Sequence, residues 1–332
     1  MKRTIRVAFA DQHRGFDEKK NDYLPLLEKH YDVIVTKKDP EYLIYSVFGN
    51  DHLKYDCVRI FYTGECITPD FNECDYAAGF DHLDFGDRYL RFPYYLYHGY
   101  EKEYLSLKDR PVFTSEELAE KQGFCSFVVS NCFAQDKRTA LLETMETYRP
   151  VASGGRYRNN IGGAVKDKIT FSSKYKFAIA CENASYPGYI TEKIVDAFAS
   201  RAIPVYYGDP LAAKDFNPKA FINCSDFASF GDALEYVKRV DQDDDLYLRM
   251  INEPPVLDWQ DPNAFENFLV SIIEQDYDLA FRRPDSMYTR ARSESIQRHI
   301  FYEKYVHTAL KRAGNQLKRI RNGTMLSSKR TR

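Results

Sequence analysis

A chain of 332 residues is long enough for two α/β domains of ordinary size. Its formal net charge of −2 hides an asymmetry: nine Lys/Arg and no Asp/Glu follow Glu303, leaving −11 on residues 1–303. An acidic body argues against nucleic acid as a partner, while a basic tail is of the kind drawn to an anionic surface such as the cytoplasmic membrane leaflet.

The seven cysteines are scattered, with no C-x-x-C pair. Neither a zinc site nor a disulfide framework is expected, and a reducing, cytoplasmic setting fits best. The longest early apolar run, residues 5–10, is interrupted by Arg6 and leads into Asp11. No signal peptide or membrane span is therefore expected.

In chain order, the first segment reads as a strand over 6–10, a helix near 22–30, and strands near 32–36, 42–47, 58–62, 76–79 and 89–92. This alternation predicts a parallel-sheet domain. No G-x-G-x-x-G follows the first strand, which weakens a dinucleotide reading. Residues 97–118 read as a helical connector broken at Pro111. A new unit follows: strand 125–130, loop 131–135, helix 136–148 and strand 150–152, with Gly154-Gly155 and Gly162-Gly163 marking loops. Residues 175–210 then predict a strand, a polar loop, a helix and a second strand. Residues 177–181 and 203–207 are apolar runs of strand length; Ile194, Ala197 and Phe198 recur at helical spacing, and Thr191 is a good N-cap. A short strand near 220–223, helices near 230–240 and 244–252, and a last helix near 263–275 complete this domain. From residue 293 the chain reads as helical, with Val306, Leu310, Ala313, Leu317 and Ile320 forming one apolar stripe among basic residues. Such a helix either lies in a membrane interface or packs back on the first domain with its basic face in water.

A βαβ unit presents its ligands at the carboxyl ends of its strands. There the sequence places Glu182, Asn183, Tyr186, Tyr189, Glu192 and Lys193. Singly, Glu192 in a first helical turn is ordinarily a dipole-stabilising residue and Lys193 a solvated one. Together with free N–H groups at the helix start, they point to a nucleotide-diphosphate site.

Three stretches in order resemble the bacterial α1,3/4-fucosyltransferase family. Glu182-Asn183 with Tyr189-Ile190-Thr191-Glu192-Lys193-Ile194 is similar to its donor-binding signature. Residues 61–95 are similar to its acceptor-domain signature, and residues 123–142 to the strand, loop and helix that open its donor domain. The resemblance implies the GT-B architecture: two Rossmann-like α/β domains facing each other across a cleft. Residues 1–118 would hold the acceptor, 119–280 the donor GDP-β-L-fucose, and 281–332 would form a helical, basic tail. It further implies transfer with inversion to the 3-hydroxyl of N-acetylglucosamine in a lactosamine-type glycan acceptor, as in Lewis-type antigens. Animal members carry an N-terminal membrane helix, so the expectation is the bacterial, cytoplasmic type, at most peripheral on the inner membrane.

Direct displacement needs a base for the acceptor hydroxyl and stabilisation of the leaving diphosphate. The resemblance gives the base role to Glu65, just past a strand end; from spacing alone Glu65 is equally a turn carboxylate after Gly64. It gives the diphosphate to Lys193 and Arg138. Lys137 precedes Arg138 and the spacing departs slightly from the motif, so either of those two could be the ligand. Glu192 is implied to accept from ribose hydroxyls, and Asn183 and Tyr189 to contact fucose or phosphates. Glu182 is either structural or steadies the sugar ring, and Tyr186 is a further donor-site candidate. No Asp-x-Asp follows a donor-domain strand, and Asp243-Asp244-Asp245 reads as a solvated run. No metal or other cofactor is expected to be required, and stimulation by a divalent ion stays open. Two rival readings remain: a transferase using another sugar nucleotide, and a sugar-nucleotide binding protein without turnover.

Overall fold

The structure is a computed structural model that describes residues 2–97, 99–130, 136–302, 306 and 310. The expected alternation becomes two separate parallel sheets. The first contains β1 (Arg3–Ala10), β2 (Tyr31–Val35), β3 (Tyr42–Tyr45), β4 (Val58–Tyr62), β5 (Tyr76–Gly79) and β6 (Tyr89–Arg91), ordered β2-β1-β3-β4-β5-β6. Every pairing in it is parallel. β3 and β5 are buried along their whole length, as strands covered on both faces must be. The helix α1 (Tyr23–Glu28) covers this sheet with Tyr23, Leu24 and Leu27.

Two short helices, α2 (Glu101–Leu105) and α3 (Ser115–Ala119), stand where one broken connector was expected, the second opened by a capping box between Thr114 and Glu117. The second sheet contains β7 (Gly123–Phe127), β8 (Val151–Ser153), β9 (Tyr175–Cys181), β10 (Ile203–Tyr207) and β11 (Ile222–Asn223), ordered β11-β10-β9-β7-β8 and again parallel throughout. Around it lie α4 (Asp136–Glu146), α5 (Lys168–Ser172), α6 (Glu192–Ala199), α7 (Phe230–Gln242) and α8 (Asp244–Asn252). The central crossover is α6, which buries Ile194, Val195, Ala197 and Phe198. This is the two-domain GT-B arrangement.

The expected domain boundary at 280 does not hold in one respect. The helix α9 (Ala264–Ile273), expected to close the second domain, packs on the first sheet. Phe265 stacks on Phe92 with ring centroids 5.4 Å apart and lies 5.0 Å from Tyr62. The Tyr31 hydroxyl donates to Glu274 (2.7 Å), and Arg3 donates to the Ile273 carbonyl (2.9 Å). The physical reason is cover: Tyr62, Tyr76 and Phe92 need an apolar partner, and Phe265, Phe268 and Leu269 supply it. Arg283 then forms a buried ion pair with Asp75, which fastens the crossing segment. The last described helix, α10 (Met287–Phe301), starts at Met287 rather than near 293, because Ser286 caps it and forms a capping box with Thr289. Arg292 reaches Asp70, and Gln297 donates to the Leu53 carbonyl at 3.4 Å. Of the predicted apolar stripe, Ala313, Leu317 and Ile320 lie outside the described residues; Leu310 is exposed. No helix among the described residues is long and apolar enough to cross a membrane.

Candidate active site

Segments that follow the carboxyl ends of β1, β3, β4 and β9 close on one cavity of about 570 Å³ between the two sheets. Glu65 stands on its first-domain wall, exposed, with its N–H donating to the Thr63 hydroxyl at 3.1 Å. The residue before it has to be glycine: a Cβ on Gly64 would lie 2.5 Å from the Tyr94 ring.

The loop from β9 to α6 forms the opposite wall. Glu182 turns inward and is 3% exposed. It accepts from the Thr191 N–H (2.7 Å), from the Thr191 hydroxyl (2.8 Å) and from the Lys193 ammonium (2.7 Å). Thr191, expected to cap α6, makes no side-chain cap bond, because its hydroxyl is committed to Glu182. Burial alone would pull the Lys193 ammonium down, but Glu182 and Glu192 hold it above its ordinary value, so it stays cationic.

Arg138 is buried, and its Nη2 donates to the Asn183 side-chain oxygen at 2.7 Å and to the Cys181 carbonyl at 3.4 Å. Lys137 is exposed, its ammonium 5.9 Å over the Phe230 ring, and it lines neither this cavity nor the next. Of the two neighbouring cations, the fold brings Arg138 to Asn183.

A second cavity of about 380 Å³ shares Asn183, Glu192 and Lys193 with the first and reaches Arg138, Lys168 and Asp196. Glu192 lies 3.9 Å from the Lys168 ammonium, which also pairs with Asp196. Burial pushes the Asp196 carboxyl up to about 6 against the pull of Lys168. Tyr189 is buried; its hydroxyl donates to the Gly64 carbonyl at 3.3 Å, so the second-domain loop touches the loop carrying Glu65. That approach requires Gly188, at φ +88°, where a Cβ would come within 2.6 Å of the Phe80 carbonyl. Tyr186 packs on Phe80 at 5.7 Å, is 41% exposed and lines neither cavity.

Glu65, Asn183, Tyr189, Glu192 and Lys193 thus share one cavity, Arg138 stands behind Asn183, Glu182 is a buried support, and Tyr186 and Lys137 lie aside. Motif reading missed His13, Asp17, Lys20, Asn21 and Asp22, which reach the cavity from the loop between β1 and α1, as well as Phe48, Tyr94 and Tyr97. One signal could have found the loop and Phe48: they follow the carboxyl ends of parallel strands, where such sheets bind ligands. Among the described residues, His82, Asp209 and Asp215 bring possible metal-ligand atoms within 4.8 Å of one another. Asp215, however, already takes the Arg91 guanidinium on both oxygens, at 2.8 and 2.7 Å, and none of the three lines either cavity.

A family model described as "Alpha-(1,3)-fucosyltransferase FucT N-terminal domain" matches residues 7–98, and one described as "Glycosyltransferase family 10 (fucosyltransferase) C-term" matches residues 118–263. The chain is 38% identical over 274 residues to Alpha-(1,3)-fucosyltransferase FucT of Helicobacter pylori, a match taking in 72% of this chain and 57% of that one. It therefore spans little more than half the length of that relative. A Bos taurus 3-galactosyl-N-acetylglucosaminide 4-alpha-L-fucosyltransferase FUT3 is 32% identical over 142 residues, 42% of this chain and 38% of the relative. A crystal structure of an alpha1,3-fucosyltransferase superposes with a TM-score of 0.73 at 31% identity, covering 86% of this chain and 94% of that one. A crystal structure of alpha1,3-fucosyltransferase with GDP-fucose gives 0.70 at 32%, covering 83% and 92%.

Proposed function

The chain belongs to glycosyltransferase family 10, the fucosyltransferases, and from that premise we propose that it transfers L-fucose from GDP-β-L-fucose, with inversion, to the 3-hydroxyl of N-acetylglucosamine in lactosamine-type glycans. One observation carries the reading: the loop bearing Glu65 and the wall bearing Asn183, Glu192 and Lys193 come from different sheets and close on one cavity. The solved relative with GDP-fucose supports the choice of donor.

In this reading the Glu65 carboxylate takes the proton of the acceptor hydroxyl as that oxygen bonds to C1 of fucose. The bond from C1 to the β-phosphate oxygen breaks on the opposite face, and GDP leaves with the electron pair. Lys193 and Arg138 meet the growing phosphate charge as fixed cations, which need no reorganisation at the moment of reaction. Glu182 contributes by aiming Lys193, Glu192 accepts from the ribose hydroxyls, and Asn183 offers its amide N–H groups while Arg138 occupies its oxygen. The reading needs no bound metal. We further propose a reducing, cytoplasmic setting, the reading suggested by scattered cysteines without a C-x-x-C pair.

The test is product release from GDP-fucose, GDP-mannose and UDP-glucose on a panel of lactosamine acceptors, with and without chelator. Expected is a fucosylated product from GDP-fucose alone, α-linked at the 3-hydroxyl by NMR. A better turnover with another nucleotide would replace the donor, and donor binding without product would make this a binding protein.

A further inference from the structure

An exposed phenylalanine on the wall of the larger cavity is held in place by a buried network that the transfer chemistry does not use. Phe48 follows β3, lines the 570 Å³ cavity and keeps 53% of its surface in solvent. The backbone beneath it is fixed. Its N–H donates to the Asp11 carbonyl at 3.0 Å. Asp11 sits at φ 54°, the left-handed region that side chains rarely adopt and that persists only when the surroundings over-determine it. The surroundings do so: the Asp11 carboxylate accepts from the backbone N–H groups of Asp51 (2.8 Å) and His52 (2.9 Å) and lies 2.6 Å from the His52 Nδ1. The His52 ring stacks on Tyr45 at 4.2 Å, and its other nitrogen is 3.3 Å from Glu73. Gly49 has no room for a Cβ, which would lie 2.3 Å from an Asp11 oxygen. The loop is pinned from several sides, and the large apolar side chain it leaves in solvent is Phe48.

We propose that Phe48 is the platform on which the galactose ring of the acceptor stacks, making it a specificity-determining residue for acceptors carrying β-galactose. The inference rests on reading this cavity as the acceptor site. A β-galactose ring carries its C3, C4 and C5 hydrogens on one face, an apolar patch of about the area of a phenyl ring, with its hydroxyls around the edge. A rigid aromatic face with a few polar groups beside it is the surface that suits such a ring. Those polar groups are Asp17, Lys20 and Asn21, which line the same cavity from the loop between β1 and α1. With galactose on Phe48, the N-acetylglucosamine joined to it presents its 3-hydroxyl to Glu65, which shares the cavity.

The experiment compares Phe48→Ala, Phe48→Trp and the unaltered protein. Phe48→Ala should raise KM for N-acetyllactosamine about five- to tenfold with kcat and the KM of GDP-fucose unchanged, and Phe48→Trp should restore it. Turnover of free N-acetylglucosamine, which has no galactose to stack, should be equal in all three. In parallel, NMR saturation transfer from aromatic protons to N-acetyllactosamine, with GDP bound, should be strongest at the galactose H3, H4 and H5 and lose that preference in Phe48→Ala, the other aromatic rings of the cavity remaining. Thermal unfolding should be unaltered, since the ring is exposed. An unchanged acceptor KM in Phe48→Ala, a raised KM for GDP-fucose in its place, or an equal loss with free N-acetylglucosamine overturns the platform. Galactose signals without fucose transfer would overturn the proposed reaction and leave the platform standing.

Discussion

Glu65 and Arg138 are the side chains on which the proposed reaction depends most directly. Glu65→Gln keeps the shape of the side chain and removes its ability to take a proton. GDP affinity should stay as it is while kcat falls by about 100- to 10,000-fold, the usual range for a lost general base. Wild-type-like turnover in the folded variant would end the assignment. The two neighbouring cations differ in where they point, and their variants should differ accordingly. Arg138→Ala should weaken GDP binding by about 1.5–3 kcal/mol, the usual worth of a hydrogen bond to a charged group. Lys137→Ala should leave calorimetric titration with GDP unaltered, because its ammonium lies over Phe230. Equal losses in the two variants would contradict the geometry.

Loops after parallel strands carry the site, and one of them holds a buried imidazole, His52, between the carboxylates of Asp11 and Glu73. Burial pulls the His52 imidazole down, but hydrogen bonds to Asp11 and Glu73 outweigh it and hold the ring above its ordinary value of 6.5. A group raised in the folded state contributes stability below its unfolded value and loses it as pH climbs through the folded one. His52→Gln should therefore lower Tm most below the ordinary imidazole value of 6.5, and the gap to wild type should narrow as pH climbs above it. A gap independent of pH would mean that the ring stays neutral. This loop also shows why the sequence was legible only in part. The unit from β9 to β10 could be read because apolar periodicity and the run from Glu182 to Lys193 fall within one short segment. Thr191 misled, since an N-cap signal records residue type and cannot see a buried carboxylate nine positions upstream. The network of Asp11, His52 and Glu73 spans three loops, and Phe48 gains meaning only from the partners that pin its backbone.

At the scale of the whole molecule, the two α/β units and the succession of their strands and helices along the chain were legible from alternating patterns, and the placement of α9 was not. An amphipathic helix advertises that it will be buried, and its pattern is silent about which sheet will bury it. The basic tail gives a test at this scale. Nine basic residues follow Glu303 without an acid. Each contributes about 1 kcal/mol near an anionic surface, an attraction that salt screens. The full chain should sediment with anionic vesicles at low salt and be released at high salt. A fragment ending at residue 302 should not sediment, yet should keep its Tm, because it retains Arg292 against Asp70 and Gln297 against Leu53. Loss of folding in that fragment would show the tail to be part of the core.

The crossing of α9 onto the first sheet fixes a timetable for synthesis. Residues that finish the first domain, Phe265 to Arg283, follow the whole of the second in the chain, so the amino-terminal half should be the later one to become native during synthesis. Until then Tyr62, Tyr76 and Phe92 lack their cover, a stretch during which aggregation is a hazard. A chain halted at residue 253 should accordingly resist protease across 118–253 while being cut readily within its first hundred or so residues, and supplying residues 254–302 as a separate peptide should restore protection there.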